Sequence, residues 1–267
     1  MRTASALVIA PVVIVLAWAG GVWFAALLAI AGACLAFEWC RLVYGADERP
    51  QLFVHSAGAV AGVLFAAAGQ PLLGLGAAGV FWLLSVFLLI RRRPQTGAAW
   101  IGVGYVALPV LALYLVRSDA NEGLGALIWL MVLVWSADTV AYVVGRMIGG
   151  PKLAPRISPG KTWSGLGGAV LGGAVASGIA GHLLEVDSAF LLSLLGGILA
   201  VIAQCGDLFE SHLKRRAGVK DSGKLIPGHG GIFDRVDGLV AVALAALMIG
   251  LIRGGEFAAI AGNLLNW

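Results

Sequence analysis

The stretch Leu124–Gly145, LGALIWLMVLVWSADTVAYVVG, decides the fold class. Asp138 is its one charged residue. A bilayer's hydrocarbon core is about 30 Å thick and takes about 20 apolar residues to cross as a helix. Backbone N–H and C=O groups in that core must be satisfied within the segment, so the run reads as a helix and not a strand. The same reading carried outward gives nine spans: Ala6–Ala19, Val22–Val43, Leu52–Gly69, Leu72–Ile90, Ala98–Val116, Leu124–Gly145, Thr162–Leu184, Ala189–Leu208 and Val236–Ile252. The expected fold is therefore an all-α, polytopic integral membrane protein. Gly20–Gly21 joins the first two spans as a tight hairpin.

Composition agrees. Of 267 residues, 60% are hydrophobic and 12% charged, against about 25% charged in a soluble domain. Half the usual charge cannot coat a water-facing surface, which excludes a soluble enzyme. Disorder needs low hydrophobicity and high net charge and is excluded as well. Cys34, Cys40 and Cys205 form no CxxC pair, so neither a disulfide framework nor a thiolate zinc site is expected; they read as buried, inert thiols. Arg2 and Ala17-Trp18-Ala19 give the first span the outline of a signal peptide. The next apolar run follows at once, so it is read as a span.

Cytoplasmic connections carry the excess of Lys and Arg. Of the 18 basic residues, only Arg2, Arg117 and Arg253 fall in odd-numbered connections or at the N-terminus. The alternation puts the N-terminus outside and the even connections in the cytoplasm. The glycine spacings Gly58-xxx-Gly62 and Gly168-xxx-Gly172 read as close helix packing. Residues 1–130 are expected to form an N-terminal membrane-helical region. Residues 131–267 are expected to form a catalytic membrane region with cytoplasmic loops 146–161 and 207–235.

The second of those loops lies in Gly206–Gly238, GDLFESHLKRRAGVKDSGKLIPGHGGIFDRVDG. Asp207 stands at the end of one apolar span, and Asp234 and Asp237 stand at the start of another. Ionisable groups at membrane depth are costly and mark function. Asp234 and Asp237 lie three apart at a helix start and share a face. Oxygen ligands without a Cys or His cluster suit a hard ion such as Mg²⁺. Pro227-Gly228-His229-Gly230-Gly231 lets backbone N–H groups approach an anion. Carboxylates, cations and a glycine-rich turn are together the parts of a phosphoryl or nucleotidyl transfer site.

In the other loop, Ser158-Pro159-Gly160-Lys161-Thr162 is expected to open a helix, capped by Ser158 or Thr162, whose free N–H groups bind phosphate. It is not a Walker loop, because Pro155 stands where that pattern needs glycine. Asp138 is either a functional group or a buried hydrogen-bond partner; Tyr142 lies one helical turn away.

These residues resemble a known signature. Ser211-His-Leu-Lys214-Arg215-xxxx-Lys220-Asp221-Ser-Gly223-xx-Ile-Pro227-Gly-His229-Gly230-Gly231-Ile-Phe-Asp234-Arg235-Val-Asp237 is similar to that of the phosphatidate cytidylyltransferases (CDP-diacylglycerol synthases). Supporting matches are Gly206-Asp207-Leu208, Asp138-Thr139-x-Ala141-Tyr142 and Ser158-Pro159-x-Lys161-Thr162. Ser164 and Gly238 depart from it, standing where many members have Glu or Gln, and Ser. The resemblance implies CTP + phosphatidate → CDP-diacylglycerol + pyrophosphate, with Mg²⁺, and K⁺ as a companion ion. It implies that Asp207 and Asp234 hold the metal. Asp221 and Asp237 are expected to complete its shell, and Lys214, Arg215, Lys220, Arg235 and Lys161 to screen charge. His229 is either a phosphate contact or proton carrier, or a turn residue; Ser211 either touches substrate or caps. Ser158, Lys161, Thr162, Gly230, Gly231, Asp138 and Tyr142 are the remaining substrate-binding candidates.

The expected partners are CTP, phosphatidate and membrane lipids, with a homodimer as the open assembly state and no nucleic acid. The expected location is a bacterial plasma membrane, with the site facing the cytoplasm. Two other readings are a polytopic transporter, which predicts a sequence repeat that is not found, and a CDP-alcohol phosphotransferase. The latter resembles DGxxAR, whereas Asp237-Gly238-xx-Ala241 is followed by Val242.

The orientation makes a direct prediction. In a cysteine-free background on intact cells, an impermeant thiol reagent labels Asp187→Cys and spares Lys152→Cys; the reverse pattern inverts the topology.

Overall fold

A computed structural model describes residues 2–45, 49–90, 97–225 and 230–267. Its helices are α1 (Arg2–Ala19), α2 (Gly21–Val43), α3 (Arg49–Ala67), α4 (Pro71–Ile90), α5 (Gly102–Ser118, entered by a 3₁₀ turn over Gly97–Ile101), α6 (Gly123–Ile148), α7 (Trp163–Leu183), α8 (Ala189–Arg216), α9 (Phe233–Gly254) and the short α10 (Ile260–Leu265). Among the described residues, eight helical segments, those of α2 to α9, are long and apolar enough to cross a membrane. The chain is an all-α polytopic membrane protein, and α1 is a helix at the place of the first expected span.

Two departures from the expected layout matter for the site. Ser158–Thr162 leads directly into helix α7, but as a strand and not as a loop. It is strand β2, paired antiparallel with β1 (Lys152–Ala154) in the register Lys152↔Thr162 and Ala154↔Ser158. The cap falls to Thr162 alone, whose Oγ1 accepts from Gly165 N at 3.0 Å at the start of α7. Pairing in the hairpin satisfies backbone groups that a bare loop would leave to water. The second departure is α8, which continues past Leu208 to Arg216. Glu210, Ser211, Lys214 and Arg215 are therefore helical and not loop residues. The i,i+4 pair Glu210–Lys214, at 2.5 Å, supports that polar extension.

The chain divides into two compact units, residues 1–118 with 216–236, and residues 119–215 with 237–267. In the first, α1 and α2 are separated only by Gly20, with φ of +65° at Gly20 and +48° at Gly21, values that favour glycine. Arg117 on α5 holds the end of α1, its Nε donating to Ala17 O at 2.6 Å and its Nη2 to Trp18 O at 2.8 Å. Carbonyls at a helix C-terminus are orphaned and carry partial negative charge, so a guanidinium suits them. Between α3 and α4, Ser85 Oγ donates to Gln51 Oε1 and Gln51 Nε2 returns a bond to Ser85 O. This exchange satisfies two buried polar side chains. Gly74 on α4 faces Gly62 on α3, and a Cβ on Gly74 would stand 2.6 Å from Gly62 O.

In the second unit α7 is a small-residue rail. A Cβ on Gly168 would stand 2.8 Å from Val144 Cβ, and one on Gly172 would stand 2.8 Å from Ser136 O, both on α6. On its other side, a Cβ on Gly173 would meet Gly196 O of α8 at 2.8 Å. Backbones approach this closely only where side chains are missing, which is how apolar helices gain contact in lipid. Trp129 Nε1 donates to Ser177 Oγ at 2.8 Å, so both buried polar atoms are paired. At the C-terminus Asp119 Oδ2 accepts from Gly262 N at 3.0 Å, fastening α10. The cysteines are not uniformly buried: Cys40 is, Cys34 is half-buried and Cys205 is exposed.

Gly168→Ala is expected to destabilise the chain by about 1–3 kcal/mol through overpacking against α6. Gly167→Ala, where a Cβ meets nothing within 4 Å, is expected to be neutral or slightly stabilising. Thermal unfolding of the two variants in detergent checks the contrast.

Candidate active site

In the second unit the end of α8, the hairpin and one face of α6 meet around a cavity of about 600 Å³. That volume lies within the ordinary range for small-molecule sites, roughly 300–1,000 Å³. Asp138, Tyr142, Arg146, Lys152, Lys161 and Asp207 are among the residues lining it. The polar side chains are wired together. Gln204 Nε2 donates to Asp138 Oδ1 at 2.8 Å, and Lys161 Nζ donates to Gln204 Oε1 at 2.8 Å. Lys161 also pairs with Asp207 Oδ2 at 2.6 Å, and Ser211 Oγ donates to Asp207 Oδ1 at 3.2 Å. One chain of contacts thus runs from α6 through β2 to two turns of α8. Lys161 is held there because it is the last residue of β2 before the Thr162 cap.

Beside this chain, one carboxylate oxygen from each of Asp207, Glu210 and Asp237 lies within 4.8 Å of the others. Asp207 and Glu210 are three apart on α8 and so share a face. Asp237 reaches them because Gly206 lets α9 close in; a Cβ there would stand 2.7 Å from Asp237 O. Three carboxylates at this spacing repel one another. Lys161 on Asp207 and Lys214 on Glu210 offset part of that charge. The donor set is all oxygen and hard, the set that Mg²⁺ takes and thiophilic metals do not. These residues therefore fit a divalent cation.

The remaining sequence candidates fall as follows. Tyr142 is exposed, and its hydroxyl accepts from Arg146 Nη1 at 2.9 Å. Arg215 Nε donates to Ile157 O at 3.3 Å, tying α8 to the hairpin turn. Ser158 lines the cavity from β2. Ser164, one of the two departures from the signature, joins the α7 cap, its Oγ donating to Gly149 O. Lys220, Asp221, Gly230, Gly231, Asp234 and Arg235 belong to the first unit. There Asp234 Oδ2 accepts from Ser222 N and Gly231 N, both at 2.9 Å. Lys220, Asp221 and Arg235 are exposed. His229 lies outside the described residues.

Two members of the arrangement were not singled out from sequence. Gln204 is neutral and sits in an apolar run, so nothing in charge patterning flags it. Glu210 was a signal that could be read: three residues after Asp207 and four before Lys214, it marks a continuing helix face.

The geometry of a polar, cation-lined pocket beside an acidic trio belongs with a family match. Residues 1–252 match the model of the cytidylyltransferase family, and the chain belongs to that family. Among its curated relatives is a phosphatidate cytidylyltransferase of Brucella abortus, 38% identical over 256 residues, covering 94% of this chain and 93% of that protein. The protein of that name from Pseudomonas aeruginosa is 36% identical over 242 residues, covering 85% and 88%. That from Staphylococcus haemolyticus is 41% identical over 170 residues, covering 61% and 63%.

Glu210→Gln removes one oxygen ligand and the partner of Lys214. It is expected to weaken Mn²⁺ binding to the purified protein at least about 10-fold, the scale of losses at tuned metal sites. Titration followed by electron paramagnetic resonance checks this, with the surface change Asp187→Asn expected to leave the affinity unchanged.

Proposed function

We propose that the chain transfers the cytidylyl group of CTP to phosphatidate, giving CDP-diacylglycerol and pyrophosphate for phospholipid biosynthesis, in a bacterial plasma membrane with the site open to the cytoplasm. The observation that carries this reading is the continuous network Asp138–Gln204–Lys161–Asp207 beside the Asp207/Glu210/Asp237 trio, in a chain of the cytidylyltransferase family. The relatives' shared name supports the choice of substrates.

The chemistry asks little of a general base. A phosphate monoester has a second pKa of about 6, so at neutral pH phosphatidate is largely dianionic and already nucleophilic. One of its oxygens attacks the α-phosphorus of CTP. The bond between the α-phosphorus and the bridging oxygen breaks, and pyrophosphate leaves with that electron pair. The difficulty is electrostatic, since two polyanions must meet. Asp207, Glu210 and Asp237 would hold Mg²⁺, which when bound supplies charge stabilisation to the leaving pyrophosphate. Lys161 and Lys214 stand beside the trio as fixed ammonium charges. Lys161 is kept there by Gln204, whose amide faces Asp138 with its other end. Ser158 and Tyr142 border the same cavity, and the exposed cations Lys220 and Arg235 add positive charge to the signature.

Purified protein supplied with labelled CTP, phosphatidate and Mg²⁺ is expected to form CDP-lipid, and chelation to stop it. Asp207→Ala is expected to lower turnover by about 100-fold or more, the scale of losing a central electrostatic group. Lys161→Ala is expected to lower it by about 10-fold or more. Wild-type turnover in Asp207→Ala overturns the assignment of the site.

A further inference from the structure

Glu38, near the end of α2, is used by none of the chemistry above, yet it is fully buried at 0% exposure. A buried carboxylate is costly unless hydrogen-bonded. Three donors supply those bonds, and all come from the signature segment. Ser222 Oγ and Phe233 N donate to Oε2 at 2.9 and 2.8 Å, and Ile232 N donates to Oε1 at 3.0 Å. Two glycines let the segment come this close. A Cβ on Gly223 would stand 2.5 Å from Glu38 Oε1, and one on Gly231 would stand 2.4 Å from Oε2 and 2.0 Å from Ser222 Oγ.

The same stretch is tied a second time. Asp234 Oδ2 accepts from Ser222 N and Gly231 N. Ser222 therefore donates from its hydroxyl to Glu38 and from its backbone to Asp234. Next to Glu38, Trp39 packs against Phe233 with ring centroids 6.2 Å apart, and Tyr105 meets Phe233 at 6.0 Å. The two ends of the segment, at 222 and at 231–233, are thus pinned to one acidic side chain on a helix more than 180 residues upstream.

We infer that Glu38 is a positioning residue for cytidylyl transfer: it holds the signature segment in its working shape from α2. The inference rests on the proposed function, because that segment carries the residues that resemble the family signature. It also explains glycine at 223 and 231 by contact with Glu38 rather than with substrate.

The test uses the full chain in lipid nanodiscs, with hydrogen exchange read by mass spectrometry beside CDP-lipid formation. Glu38→Gln keeps the side-chain volume but removes one acceptor oxygen and turns an NH₂ toward backbone donors. Expected are exchange about 10-fold or more faster across 217–234, unchanged protection in α3–α5, and turnover lower by about 10- to 100-fold. Ser222→Ala, which removes a single donor, is expected to show both effects at about threefold. A side chain that only fills space would leave Glu38→Gln like the wild type in both readouts. Wild-type turnover in an active preparation of Glu38→Gln overturns the inference, whatever the exchange shows. If Glu38→Gln loosens the whole chain, wild-type turnover in Ser222→Ala overturns it instead. A wild-type chain that forms no CDP-lipid overturns the proposed function, while the exchange arm still reports whether Glu38 anchors the segment.

Discussion

Acidic side chains crowded at the ends of apolar helices have to be neutralised where they stand. Asp207, Glu210 and Asp237 repel one another, and the surrounding helices offer little water to screen them. Lys161 at 2.6 Å from Asp207 and Lys214 at 2.5 Å from Glu210 answer that repulsion. Breaking a partly buried pair of this kind leaves an uncompensated charge, which costs more than the pair contributes when intact. The hairpin β1–β2, the polar extension of α8 and the Thr162 cap follow from it, because each places one of the neutralising groups. Gln204 is the joint, since its amide serves a carboxylate with one end and an ammonium with the other.

The membrane helices were legible because the bilayer imposes a single strong constraint on composition and length. Where the sequence reading missed, local chemistry overrode that constraint. The apolar window of α8 ends at Leu208, but Glu210 and Lys214 carry the helix on, so Ser211 and Arg215 stand on a rigid element and not in a loop. The hairpin Lys152–Thr162 was invisible because its strands are too short to show alternation and Pro155, Pro159 and Gly160 interrupt it. Its Ser-Pro-Gly run reads more naturally as a turn before a helix. Glu38 was equally hidden: one acidic residue near the end of an apolar run says nothing about a partner that arrives at Ser222 and Phe233.

Glycine does two kinds of work in this chain. On α7 it brings backbones together, so that Gly168 and Gly172 lie against α6 while Gly173 lies against α8. At 223 and 231 it makes room for a carboxylate. The residue type is the same, but one use depends on dispersion between helices in lipid and the other on donors reaching a buried acceptor.

α8 is unbroken from Ala189 to Arg216. At about 1.5 Å per residue, the eight residues after Leu208 reach about 12 Å further along the axis. The polar layer of a bilayer leaflet is roughly 5–8 Å thick. With Leu208 at the edge of the acyl chains, the first polar turn of this stiff rod, at Glu210 and Ser211, forms a shelf at the depth of glycerol and phosphate, and its last turn reaches past them into water. Under the proposed function, a lipid substrate would meet that shelf without being lifted from its neighbours. Only the water-soluble reactant has to arrive by three-dimensional diffusion.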